Sequence, residues 1–159
     1  MAQLSAILYL ALLGVAAHFI GNALPRVWFD ARRFPYKCYS WEKEGTVYRK
    51  LGVHNWKDRV PDMSKLCHDM RPKTVWTGIR AEDAGALVAE TCVAECVHWA
   101  LILLSPAIVL ISPGVFGTVL LVVDVLLFNL PFIVIQRYNR PKLLRLYDRL
   151  LKKEKGAVP

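Results

Sequence analysis

No lysine or arginine occurs in the first 25 residues of this 159-residue chain, and the whole of it contains no Cys-x-x-Cys pair, internal repeat or low-complexity tract. The four cysteines, Cys38, Cys67, Cys92 and Cys96, sit at unrelated spacings, which argues against a disulfide framework or a cysteine zinc site. Histidine is also scarce, at four residues, which leaves a di-iron centre short of ligands. A cleaved signal peptide would carry cations ahead of its apolar core, and this N-terminus has none. What is abundant is apolar: 55% of residues are hydrophobic and the mean hydropathy is +0.31, so one membrane domain over residues 1–159 is expected.

Residues 4–24, 84–111 and 115–136 are each apolar and long enough to cross a bilayer. Ser112-Pro113-Gly114 separates the second from the third and predicts a tight hairpin. The expected class is an all-α integral membrane protein. Residues 25–83 hold 13 of the 21 Lys and Arg and residues 137–159 hold the other 8. By the positive-inside rule both segments face the cytosol, which three spans allow only with the N-terminus outside. Topology therefore explains the net charge of +8, and nucleic acid is not an expected partner. The segment 25–83 interleaves Trp28, Phe29, Phe34, Tyr36, Tyr39, Trp41, Tyr48, Trp56 and Trp76 with Lys and Arg, the composition of a layer at headgroup level. Within it, a short helix from Trp41 to about Leu51 is predicted, with Ser40 as N-cap. Residues 141–155 read as an amphipathic helix starting at Pro141, with Leu143, Leu144, Tyr147, Leu150 and Leu151 on one face, lying on the inner leaflet.

Ionisable residues inside an apolar span need a reason. Glu90, His98 and Glu95 fall at about 0°, 80° and 140° around one helix, so the imidazole projects between two acids. Counted from the hairpin tip, His98 and Asn129 lie at one depth, roughly 22 to 24 Å down, and His18 on the first span reaches about the same level. Beneath them the count predicts a charged rim of Glu90, Glu95, Gln136, Arg137 and Arg140, with Glu90 opposite Arg137. Asp124, near mid-membrane, reads as an interhelical hydrogen-bonding group. Cys92 and Cys96 point away from His98, which argues against an acyl-cysteine intermediate.

Four blocks carry a family resemblance: Trp41-Glu42-x-x-Gly45-x-x-Tyr48, Trp56-Lys57-Asp58-x-x-Pro61, Glu90-Thr91-x-x-Ala94-Glu95-x-x-His98-Trp99, and Asn129-x-Pro131-x-Ile133-x-x-Gln136-Arg137-Tyr138-Asn139-Arg140-Pro141. Together, over about residues 34–146, the chain resembles the glycosyl-4,4'-diaponeurosporenoate acyltransferases. The resemblance implies a membrane enzyme of staphyloxanthin-type synthesis that attaches a fatty acyl group to the sugar of a glycosylated carotenoid. It also makes Trp56, Lys57, Gln136, Arg137, Tyr138, Asn139 and Arg140 candidate substrate-binding residues.

Acyl transfer from a thioester to a hydroxyl needs a base, donors for the developing oxyanion and cations for the donor's phosphates. His98 is the expected base, Glu95 or Glu90 its orienting carboxylate, and Asn129 a neutral donor. Arg137, Arg140 and Lys57 are expected to hold the phosphates of acyl-CoA, a co-substrate, with no cofactor or metal required. The expected partners are the bilayer, acyl-CoA, a glycosylated lipid or carotenoid acceptor and, for a small membrane protein, further copies of the chain. Two rival classes are a non-enzymatic membrane subunit of a lipid- or carotenoid-modifying complex and a metal-dependent membrane hydroxylase. The charge count alone makes a topological prediction: impermeant thiol reagents should reach Cys38 and Cys67 only from the cytosolic side. Labelling from outside intact cells would reverse the orientation.

Overall fold

The computed structural model describes residues 1–60 and 78–156; Cys67, Trp76 and prolines 61 and 72 lie outside the described residues. Among the described residues the chain is helical, without a strand. Three stretches are long and apolar enough to span a membrane: Ala2–Ala23, Ala81–Ile111 and Val115–Gly156. The chain partitions into two compact units, Met1–Leu24 with Val93–Ile133, and Pro25–Cys92 with Val134–Pro159.

The first unit holds α1 (Ala2–Ala23), the second half of α4 (Ala81–Leu104), α5 (Ala107–Ile111), α6 (Val115–Val123), a π-helical stretch (Asp124–Asn129) and the start of α7 (Leu130–Gly156). Helix α4 stops at Leu104 because Pro106 has no N–H to give the Ile102 carbonyl. The Leu104 carbonyl is met by the Tyr9 hydroxyl of α1 at 2.9 Å, so the break is satisfied by a neighbouring helix, as an apolar environment requires. The expected hairpin at Ser112-Pro113-Gly114 is present between α5 and α6, with Gly114 at φ +96°. Its return leg lies so close that any Cβ at Gly117 would collide with the Ser112 carbonyl.

The π-helical stretch ends two residues before Pro131. Proline cannot donate to the preceding turn, and a widened turn ahead of it is one way the ladder adjusts. The Asn129 side-chain amide donates at 3.1 Å to the Asp124 carbonyl five residues back, within the same stretch.

The second unit contains 3₁₀ turns at Arg26–Trp28, Ser40–Gly45 and Lys57–Arg59, α2 (Thr46–Lys50), α3 (Val53–Trp56), the first half of α4 and most of α7. In place of one helix from Trp41 to Leu51, the chain breaks at Lys43 and Glu44, both at positive φ. Tyr39, and not Ser40, is the N-cap, its backbone N–H donating to the Glu42 carboxylate at 2.6 Å. Gly45 then takes φ +85° and presses against α7, where a Cβ would lie 3.3 Å from the Tyr138 carbonyl, a conformation and an approach that glycine tolerates.

Helix α7 also differs from expectation. It runs unbroken through Pro141, so the amphipathic stretch is its second half and not a separate helix. Leu143, Leu144 and Tyr147 of that stretch pack on Ala31, Val88 and Cys92 with Phe29 and Tyr36, so part of this apolar face is covered by protein. A second cluster joins Tyr48, Val53 and Tyr138, with Trp56, Val134 and Ile135 against it.

The hairpin supplies a stability test. Gly117→Ala should destabilise the detergent-solubilised protein by about 1 to 3 kcal/mol through forced separation of α5 and α6. An unchanged thermal midpoint would mean that the two legs are not so close.

Candidate active site

Four polar side chains of the apolar unit form one chain of hydrogen bonds. Ser105, fully buried one residue after α4, has its hydroxyl 2.8 Å from the Leu101 carbonyl and 2.5 Å from Asp124 Oδ2. Asn129 Nδ2 donates to the same Asp124 oxygen at 3.0 Å and to the Asp124 carbonyl at 3.1 Å. Asn129 Oδ1 lies 3.0 Å from His98 Nδ1. The His98 ring stacks on Phe132, 4.6 Å between centroids and 14° from parallel.

This arrangement assigns the protons. Both amide hydrogens of Asn129 face acceptors, so its oxygen faces the imidazole, and an oxygen there requires the hydrogen to be on Nδ1. The basic lone pair of neutral His98 is consequently on Nε2.

The expected meeting of His98 with Asn129 is therefore found, with Asn129 Oδ1 at the Nδ1 edge of the ring. Because both Asn129 amide hydrogens are already donated to Asp124, neither is left for an oxyanion. Glu95 is buried and accepts from Trp99 Nε1 at 3.4 Å. His18 bonds Asn22 at 3.3 Å and packs edge-on to Phe19, outside the network. Asp124 and Ser105, which completes the network, were the residues least legible in advance; the one signal was an ionisable side chain inside an apolar span.

The remaining candidates belong to the second unit. Glu90 does not face Arg137: it forms a two-pronged ion pair with Arg26, at 2.8 and 3.2 Å. Arg137 instead donates to both oxygens of Glu42, at 3.0 and 3.1 Å, and to the Pro35 carbonyl at 2.8 Å, and lies over the Tyr39 ring. The sequence count had no means of finding Glu42, which comes from a distant irregular segment. Arg140 is buried, donating to the Thr91 hydroxyl and carbonyl and to the Tyr36 carbonyl at 2.8 to 2.9 Å. Both arginines thus brace α7 against other segments of their unit. Tyr138 is a core residue under Lys142, Gln136 is buried, Asn139 is half-buried, Trp56 is packed at the edge of the Tyr138 cluster, and Lys57 pairs with Asp58 at 2.6 Å.

Burial works against ionisation of Glu42, but the Tyr39 N–H, the Tyr48 hydroxyl and the Arg137 guanidinium outweigh it and hold its carboxyl below the usual range. A small cavity beside this cluster is lined by Ala31, Tyr36, Cys38, Glu42, Arg140 and Leu144, among others. Burial, followed by the charge of Glu42, raises the Cys38 thiol, which keeps it a weak nucleophile.

The family model for glycosyl-4,4'-diaponeurosporenoate acyltransferase matches residues 25–149. The chain belongs to this family. A relative of that name from Staphylococcus haemolyticus is 30% identical over 120 residues, covering 75% of this chain and 69% of its own. Another, from Staphylococcus aureus strain MRSA252, is 29% identical over 135 residues, covering 84% and 80% respectively. No solved structure matches the chain. Family membership decides for acyl transfer over the hydroxylase and the non-enzymatic subunit.

The Glu42–Arg137 pair makes a further prediction. A carboxyl held below its unfolded value contributes stability that is present above that value and is lost as pH falls through the folded one. A double-mutant cycle of Glu42→Gln and Arg137→Gln should show a coupling of about 0.5 to 3 kcal/mol at neutral pH that fades on acidification. Strict additivity at neutral pH would sink the pair.

Proposed function

We propose that the protein transfers a fatty acyl group from an acyl-CoA thioester to a sugar hydroxyl of a glycolipid or glycosylated carotenoid, with His98 as general base. The observation that carries this reading is the hydrogen bond between His98 Nδ1 and Asn129 Oδ1, which holds an imidazole in a fixed orientation within the apolar unit. In the reaction, Nε2 removes the hydroxyl proton as the sugar oxygen bonds to the thioester carbonyl carbon. The tetrahedral intermediate then expels the thiolate, the C–S bond breaks, and the sulfur takes the proton back from Nε2. Coenzyme A leaves as the free thiol and the sugar leaves as an ester.

The acceptor class rests on the names of the relatives, which are acyltransferases of glycosyl-4,4'-diaponeurosporenoate. The donor reading rests on charge. All 21 Lys and Arg fall within the second unit, Pro25–Cys92 with Val134–Pro159, and none within the first, the distribution expected where a polyanionic cytosolic donor is handled. Such a donor also requires the basic unit to face the cytosol, with the N-terminus outside. Since Arg137 and Arg140 are already engaged by Glu42, Thr91 and Tyr36, their contribution is to shape this surface, while Lys57 and the exposed Arg and Lys side chains meet the phosphates.

The test uses membranes carrying the full chain, radiolabelled acyl-CoA and glycosylated carotenoid, with transfer of label to the lipid as readout. His98→Ala should lower turnover by about two to four orders of magnitude while the protein still inserts. His54→Ala should have little effect. Equal losses at both positions, or a larger one at His54, would move the base to α3.

A further inference from the structure

We propose that His18 and Asn22 of α1 form a subsite for the hydroxyls of the acceptor's sugar. This rests on the reading of the protein as an acyltransferase of a glycosylated lipid, and it gives a role to two residues which that reading leaves unused.

The pair stands out by its place. Helix α1 is an apolar helix of 22 residues, and the His18 imidazole and Asn22 amide lie one turn apart near its end, joined at 3.3 Å. His18 is half-buried and Asn22 is exposed, so the pair opens on the outside of the helix and not into a packed core. An ionisable side chain in such a span marks a functional site by default.

Gly21, beside this pair, is where α1 meets α4: a Cβ there would lie 3.2 Å from Val97 Cγ2. Further back on α1 the Tyr9 hydroxyl reaches the Leu104 carbonyl, so residue numbers rise along α1 as they fall along α4, and the two helices are antiparallel. At about 100° per residue from the Gly21–Val97 contact, His18 and Asn22 on one helix and His98 on the other turn to the same side of the crossing. At 1.5 Å per residue, His18 and His98 also stand within about 3 Å of one level. The pair therefore flanks the imidazole assigned as base, where the hydroxyl to be acylated must come.

The chemistry of the occupant follows from the composition of this unit. No Lys or Arg occurs in Met1–Leu24 or Val93–Ile133, so an anionic headgroup finds no counter-ion in the unit, whereas a neutral sugar needs none. A sugar hydroxyl both donates and accepts, and so do a neutral imidazole and a primary amide. Leu8, Leu12, Val15 and Phe19, each more than half exposed, recur every three or four residues as an apolar stripe that ends beside Asn22. A glycolipid lying with its hydrocarbon along this stripe has its sugar at the polar pair.

The experiment titrates the detergent-solubilised full chain with glycosyl-4,4'-diaponeurosporenoate and, separately, with the methyl ester of the same carotenoid, which has the hydrocarbon without the sugar. Quenching of tryptophan fluorescence by the polyene reports binding with no transfer step. The parent protein should bind the glycoside about tenfold more tightly than the methyl ester, the equivalent of one or two neutral hydrogen bonds. His18→Leu combined with Asn22→Leu, a change that suits an apolar span, should bring the glycoside down to the affinity of the methyl ester. The methyl ester itself should bind as before, which also reports an intact fold. Should the double variant fail to insert, Asn22→Ala alone should reduce the preference about threefold. A parent protein without the preference, a variant that keeps it in full, or one that weakens both probes alike would overturn the subsite. Transfer from labelled acyl-CoA is scored apart: a preference abolished by the double change in a protein that moves no label would keep the sugar subsite and sink acyl-CoA as the donor.

Discussion

Everything in the apolar unit turns on the rule that a polar group inside a bilayer must find its partners within the protein. Ser105, Asp124, Asn129 and His98 satisfy one another in sequence, and Tyr9 meets the carbonyl at the end of α4. These bonds tie α4 to the π-helical stretch far more specifically than apolar side chains can, because lipid tails compete equally well for a leucine.

In the second unit the organising element is the carboxylate of Glu42. It accepts from a backbone N–H, a tyrosine hydroxyl and a guanidinium, drawing together the irregular segment after Tyr39, helix α2 and helix α7. The left-handed backbone at Lys43 and Glu44 and the close approach of Gly45 are the local accommodations to that convergence. Arg140 does the same for Tyr36 and Thr91 with neutral acceptors. The Arg-Tyr-Asn-Arg run following the third span is thus mainly a brace in this unit, although its charge pattern alone reads as a phosphate clamp.

The sequence determined those features that depend on composition and spacing along one helix. Three apolar stretches, a hairpin forced by Ser112-Pro113-Gly114 and the segregation of all cations into two segments follow from length, breakers and charge, which act locally and add along the chain. The common level of His98 and Asn129 also came from counting, since 1.5 Å per residue fixes depth in any straight helix. Family membership was legible for a related reason: its blocks keep their residues in fixed linear order.

Tertiary structure decided the pairings and hence the roles. Depth could not say that Asn129 would turn its oxygen to His98, because that depends on Asp124 and on a widened turn that no periodicity announces. Nor could charge assign Arg137 to Glu42 and Glu90 to Arg26, since opposite charges attract without regard to sequence distance and the winner is set by which segments the fold brings within reach. Helix α7 passes through Pro141 for a similar reason. The local cost of one missing hydrogen bond is offset by packing of Leu143, Leu144 and Tyr147 on a core that exists only once the chain has folded.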